Sequence, residues 1–299
     1  MLVLGLLGGT AAAFAVTEGL KLEPSPILSP RIAKVFSPVC DCPTRVAEIS
    51  FRLRKPDKVR VQIVRGGTVV RTLVAGTRLR RGSVHYTWNG RDDAGDFVPQ
   101  GVYRPRVHLA AAHRTIVLPN DMRVDTTAPG VRVLSVAPRL ISPDGDGRAD
   151  RVVVRYRLSE RAHGVLLVDG ERELFTRRQL PASSLQWNGK LDGRRLGPGR
   201  YRLQLSAQDL AGNLSAPSRP VFVRIRFVEL ARHTIRAKAG TRFGVRVSAD
   251  AKRFRWRLGA RNGTAKPGLL VLRAPAAPGR VRLVVSERGH QAMAIVIAK

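Results

Sequence analysis

Cysteine is almost absent from this chain: of 299 residues only Cys40 and Cys42 carry sulfhydryl chemistry. Two thiols are too few for a disulfide framework or a closed zinc site, and the six histidines are scattered along the sequence. Aromatic residues make up 5% of the chain and mostly fall in positions expected to point inward, leaving few stacking platforms for single-stranded nucleic acid. There is no Gly-X-Ser-X-Gly elbow, no phosphate-binding loop and no His-Glu-X-X-His, so an enzyme is not expected. Asp92 and Asp93 are adjacent turn residues that face apart in extended geometry instead of converging as an acid/base pair. Acidic residues are also scarce: 22 Asp and Glu stand against 53 Lys and Arg, a net charge of +31. Two readings of that charge stay open here, a solvated and highly soluble surface or a surface for an anionic partner.

What is present occurs twice. Phe36-Ser37-Pro38-Val39-Cys40-Asp41-Cys42, then Val46 to Leu53, aligns without a gap on Ile141-Ser142-Pro143-Asp144-Gly145-Asp146-Gly147, then Arg151 to Leu158. Trp88-Asn89-Gly90 returns as Trp187-Asn188-Gly189, and Gly101-Val102-Tyr103 as Gly199-Arg200-Tyr201. A period of roughly 100 residues is too long for a solenoid repeat and matches a complete β-sandwich. Strand periodicity agrees. Ala47, Ile49, Phe51 and Leu53 share one face with Glu48, Ser50 and Arg52 opposite, and Val152, Val154, Tyr156 and Leu158 share one with Arg155 and Arg157 outside.

Residues 1–20 open the chain with an apolar run free of charge up to Thr17, read as a signal or anchor segment in a hydrophobic helix. A basic stretch before it is missing, and Lys21, Arg31 and Lys34 follow it; Ala13-Phe14-Ala15 has the form of a cleavage site, so cleaved and retained forms both stay open, with an uncleaved anchor favoured. Residues 21–34 contain Pro24, Pro26 and Pro30 and read as a linker. Modules are expected over 35–128 and 129–227. A smaller sandwich of about six strands is expected over 228–299, where Phe254, Trp256 and Leu258 interleave with Arg253, Arg255 and Arg257. The fold class is all-β. In an exported chain the Cys40/Cys42 pair reads as a short-ring disulfide, and in a cytosolic one as metal or redox chemistry.

The stretch from Trp88 to Tyr103, with Gly90, Asp92, Gly95 and the Val98-Pro99-Gln100-Gly101-Val102-Tyr103 ending, resembles the Ig-like module named after the flagellar hook-capping protein FlgD. The copy with Trp187, Gly189, Gly199 and Tyr201 is one residue shorter. Asp209-Leu210-Ala211-Gly212-Asn213 is similar to an ending common in bacterial extracellular Ig-like repeats, and Ser142-Pro143-Asp144-Gly145-Asp146-Gly147 to their opening. The resemblance covers about residues 36–227 and implies tandem Ig-like sandwiches used as spacers or binding platforms.

Asp144, Asp146 and Asp150 stand at positions 1, 3 and 7 of an Asp-X-Asp-Gly-X-X-Asp string that could supply oxygen ligands to calcium, the one cofactor the chain suggests. The competing reading is an Asp/Gly turn whose carboxylates accept backbone N–H groups. The function expected is that of a non-catalytic cell-envelope protein, membrane-anchored through its N-terminal segment or secreted. It would act as a spacer or adhesion platform toward anionic wall polymer, lipid headgroups or other envelope proteins. Nucleic acid and small-molecule substrates are not expected. The alternative is an accessory module, or a cryptic enzyme, of envelope polysaccharide or peptidoglycan metabolism.

Overall fold

The computed structural model describes residues 24–299. The expected N-terminal helix and the signal or anchor segment of residues 1–20 lie outside them. Among the described residues the chain is all-β apart from one 3-10 turn at Pro43–Arg45, and no helix is long and apolar enough to cross a membrane. It divides into two compact units, one of residues up to Thr127 with Leu210–Asn213, the other of Ala128–Asp209 with Leu214–Lys299.

The first unit is a sandwich of nine strands: β1 (Ile27–Ile32), β2 (Val35–Phe36), β3 (Ala47–Leu53), β4 (Asp57–Arg65), β5 (Thr68–Leu79), β6 (Gly82–Trp88), β7 (Gly101–Leu109), β8 (Arg114–Val117) and β9 (Met122–Val124). One sheet runs β1-β3-β6, the other β2-β9-β7-β4-β5 with β8 beside β7. All pairs are antiparallel except β2 with β9. The alternation works as hydrophobic burial requires: Ala47, Ile49, Phe51 and Leu53 are buried from one sheet, and Val59, Val61, Ile63, Tyr103, Val107 and Leu109 meet them from the other. Ile27 and Ile32 join that core, which corrects the reading of residues 21–34 as a linker. Proline is tolerated because β1 is an edge strand whose register shifts between Leu28 and Arg31, so Ser29 and Pro30 sit in a bulge outside the ladder.

The second unit holds two hydrophobic cores. Around the first of these lie β10 (Val131–Ala137), β11 (Leu140–Ile141), β12 (Val152–Leu158), β13 (His163–Val168), β14 (Glu171–Phe175), β15 (Ala182–Trp187), the short hairpin β16 (Lys190–Leu191) and β17 (Arg194–Arg195), β18 (Gly199–Gln208) and β19 (Val221–Ile225). Its sheets run β10-β12-β15 and β11-β19-β18-β13-β14, the order of the first sandwich, again with a parallel pair, β11 with β19.

Around the other core lie β20 (Glu229–Leu230), β21 (Thr234–Ala237), β22 (Arg242–Ser248), β23 (Phe254–Leu258), β24 (Arg261–Ala265), β25 (Gly268–Arg273), β26 (Gly279–Glu287) and β27 (His290–Ala298). The expectation of about six strands is corrected to eight. The sheets β20-β22-β25 and β21-β27-β26-β23-β24, with β21 parallel to β27, repeat the same topology without the tryptophan motif. Three Ig-like sandwiches of one strand order therefore follow each other along the chain.

Candidate functional site

The repeated motifs hold equivalent places. Trp88 and Trp187 are 1% and 0% exposed, and each indole N–H donates to the carbonyl three residues on, Arg91 at 2.8 Å and Lys190 at 2.5 Å. Tyr103 packs on Trp88 at 5.2 Å and Tyr201 on Trp187 at 5.9 Å between ring centroids. Their hydroxyls donate four residues back, to Pro99 O at 2.6 Å and Gly197 O at 2.8 Å. Asp92 accepts the Asp96 N–H and Gly95 takes a φ of +94°, so the residues between tryptophan and tyrosine form a self-satisfied turn. Gly101 takes a φ of +152°, whereas Gly199 does not take a positive φ.

The doubled Ser-Pro turns share their closure. Ser37 N–H donates to Thr44 O at 3.1 Å and Ser142 N–H to Ala149 O at 2.9 Å. In the first turn Cys40 and Cys42 are joined as a disulfide. Within the same compact unit Thr44 Oγ1 donates to Ala211 O at 2.7 Å and Asn213 Nδ2 to Asp125 O at 3.0 Å, so Ala211 and Asn213 are held against the first sandwich.

In the second turn the ligand atoms of Asp144, Asp146 and Asp150 lie within 4.8 Å of one another. Most of their oxygens already accept backbone hydrogen bonds. Asp150 takes Gly145 N–H and Gly147 N–H, both at 2.8 Å, Asp144 Oδ1 takes Asp146 N–H at 3.1 Å, and Asp146 Oδ1 takes Arg148 N–H at 2.7 Å. These are the bonds an Asp/Gly turn makes for its own sake.

Asp144 Oδ2 is different. It is buried, has no hydrogen-bond partner among the described residues, and forms a second acidic group with Asp250 and Glu287, whose ligand atoms also lie within 4.8 Å of one another. Asp250 sits in the turn between β22 and β23, and both of its carboxylate oxygens are buried with the Ser142 hydroxyl beside them and no cationic partner among the described residues. Glu287 ends β26 and is 8% exposed; its Oε2 is likewise unpartnered. Burial, a hydrogen bond that the protonated carboxyl shares with Asp144, and the negative charges of Asp144 and Asp250 push the Glu287 carboxyl up to about 7, against a weaker opposing pull from Arg288. Burial raises Asp250 as well, with Asp144 and Asp146 adding to it and Ser142 countering. His290, stacked on Phe227 at 3.4 Å, is lowered by burial, with Asp144 opposing and Arg195 assisting. Asp250 and Glu287 are functional candidates that reading the sequence missed. One signal was there: Leu283 and Val285 set the inward register of β26, and Glu287 continues it.

No family model matches the chain, and no curated protein does. Among solved structures, the crystal structure of invasin, a bacterial integrin-binding protein, aligns with 91% of this chain at 8% identity and a TM-score of 0.26. The chain spans 60% of that protein's length. A likeness at that score carries no functional weight, and the Ig-like character stands on the strand order of the three sandwiches themselves.

The remaining feature is basic. Arg52 and Arg104 on the first sandwich, Arg155, Arg157 and Arg202 on the second, and Arg253, Arg255 and Arg257 on the third are all exposed, with Arg106 half-buried. On the third sandwich Arg255, Arg257 and the half-buried Trp256 line an open groove with Asn262 and Gln291.

Proposed function

We propose that this protein is a non-catalytic component of the cell envelope in which FlgD-type Ig-like modules form a spacer or adhesion platform, with arginine-rich outer faces that hold anionic wall polymer or lipid headgroups. The observation that supports this most is the recurrence of exposed arginines on outward strand registers in all three sandwiches. With 53 basic residues against 22 acidic ones, 31 basic residues are in excess of the carboxylates the chain can offer them. Several acids are already committed, Glu229 to Arg224 at 2.6 Å and Asp121 to Arg104 at 2.5 Å. The excess is therefore presented outward, where a polyanion gains many weak contacts at once. The Trp88-to-Tyr103 turn and its Trp187 counterpart support the FlgD-type assignment of the first two modules.

The test is retention on acidic polysaccharide and, separately, on anionic vesicles across a salt gradient, comparing the unaltered protein with a variant carrying Arg253→Gln, Arg255→Gln and Arg257→Gln. Contacts of this kind are screened beyond about 8 Å at physiological ionic strength, so retention should fall with salt, and the variant should elute earlier without losing binding. Salt-independent retention, or none on either support, would sink the reading.

A further inference from the structure

The second unit contains an electrostatic contradiction. In a chain with 44 arginines, buried oxygens of three carboxylates gather within 4.8 Å of one another, and among the described residues none of these buried oxygens has a hydrogen-bonded guanidinium. Arg148 reaches toward Asp250 but donates to its backbone carbonyl at 3.3 Å and not to the carboxylate. Arg288 approaches Glu287 at Oε1, its Nε 3.7 Å away, while Oε2 is buried without a hydrogen-bond donor among the described residues. Glu287 cannot turn away, because its register on β26 is the one that carries Leu283 and Val285 into the core, and it is held opposite His290 by a two-residue hairpin with Arg288 at φ +43° and Gly289 at φ +86°. Buried like charges of this kind persist where a proton or a cation bridges them.

The donor chemistry selects among cations. The group presents carboxylate oxygens and no sulfur, which suits a hard ion. Calcium takes carboxylate oxygens at about 2.3–2.6 Å, so ligands on opposite sides of it stand about 5 Å apart, and the three residues offer atoms within 4.8 Å of one another. Asp146, whose charge is felt at Asp250, adds to the negative field.

We propose that Asp144, Asp250 and Glu287 form a calcium site that ties the Asp144 turn of the second sandwich to the Asp250 turn and the β26 end of the third. It differs from the Asp144-Asp146-Asp150 string visible in the sequence. Asp144 faces both ways, using Oδ1 to build its own turn and Oδ2 to reach the ion, while Asp150 serves the turn alone. The site holds whatever the arginine faces bind.

The test is calorimetric titration of the chelator-stripped full chain with calcium chloride near neutral pH, followed by thermal unfolding with calcium and with chelator. Calcium should bind at about one equivalent and raise the unfolding temperature, with affinity in the roughly 0.1–1 mM range of extracellular modules. Asp250→Asn and Glu287→Gln should each weaken binding at least about tenfold, as loss of a charged ligand does. In chelator the same two variants should unfold at a higher temperature than the unaltered chain, because an amide removes like-charge repulsion; a merely structural role would lower it. Absence of calcium binding up to about 10 mM, well past that range, would overturn the proposal. So would loss of binding in Asp150→Asn with full binding retained in Glu287→Gln, which would place the ion in the turn, or a response to magnesium equal to that to calcium.

Discussion

Pro143 lies against Gly189 so closely that a Cβ added to the glycine would sit 2.7 Å from the proline ring, and Pro38 stands in the same relation to Gly90, also at 2.7 Å. Both glycines take a φ of +72°. The two most visible repeats in the sequence, Ser-Pro and Trp-Asn-Gly, are thus the two sides of one contact, which is why they recur together.

Gly90→Ala and Gly189→Ala should each destabilise their sandwich by about 2–4 kcal/mol, combining a left-handed backbone that an L residue resists with overlap on a rigid ring. Gly95→Ala separates the two causes, since Gly95 has a φ of +94° but nothing within 4 Å of the place a Cβ would take, and it should cost only about 1–2 kcal/mol. Denaturant unfolding of the three variants measures this. Equal losses at all three positions would mean that the proline contact contributes nothing.

Trp88→Ala and Trp187→Ala should each cost about 3–5 kcal/mol, the range for deleting a large buried aromatic side chain. Each also strips a tyrosine ring of its packing partner and leaves the Arg91 or Lys190 carbonyl without its indole donor. Chemical denaturation gives the energies, and the emission of the tryptophans that remain reports which sandwich loosens. A change below about 1 kcal/mol at either position would contradict a core role.

In chelator, stability should fall as pH rises from 4.5, the ordinary glutamate value, to about 7, where Glu287 loses its proton in the folded chain. The folded state binds the extra proton across that window and the unfolded state does not, so the stabilisation is complete below it and lost above it. The groups facing Glu287 are Asp144, Asp250 and Arg288, with His290 across the hairpin, and of these only Arg288 favours the ionised form. At about 1.4 kcal/mol per unit of displacement the upper limit is about 3.5 kcal/mol. Denaturant midpoints at both ends of the window measure the slope, which Glu287→Gln should remove. A rise in stability over that window would show that the cluster is not held protonated.

The strand faces were legible because burial on one side of a sheet imposes a period of two, and Ala47 to Leu53 and Val152 to Leu158 obey it. The tryptophan turns were legible because their local hydrogen bonds need a fixed spacing. Edge strands were not: β1 carries Pro30 and follows Pro24 and Pro26, a spacing that reads as a linker, and β20 is only two residues long, too short for any pattern. Only part of the acidic chemistry was visible. Asp144 stands in a string that can be read along the chain, but Asp250 and Glu287 join it from distant turns, and their meeting depends on how two sandwiches abut within one compact unit. The Cys40–Cys42 pairing was legible only on the condition of export, since two neighbouring thiols alone fit metal or redox chemistry as well.

The parallel pairs β2 with β9, β11 with β19 and β21 with β27 set a timetable for folding. In every sandwich the chain's early edge strand is sealed by its last strand, so a module that emerges N-terminus first cannot close until its final residues have appeared. The antiparallel interior can pair beforehand, but the early edge stays exposed for that interval and is open to mispairing with a neighbouring chain. Because each seal joins the two ends of its own sandwich, the delay restarts with every module, and the exposed edge belongs to the sandwich still being completed.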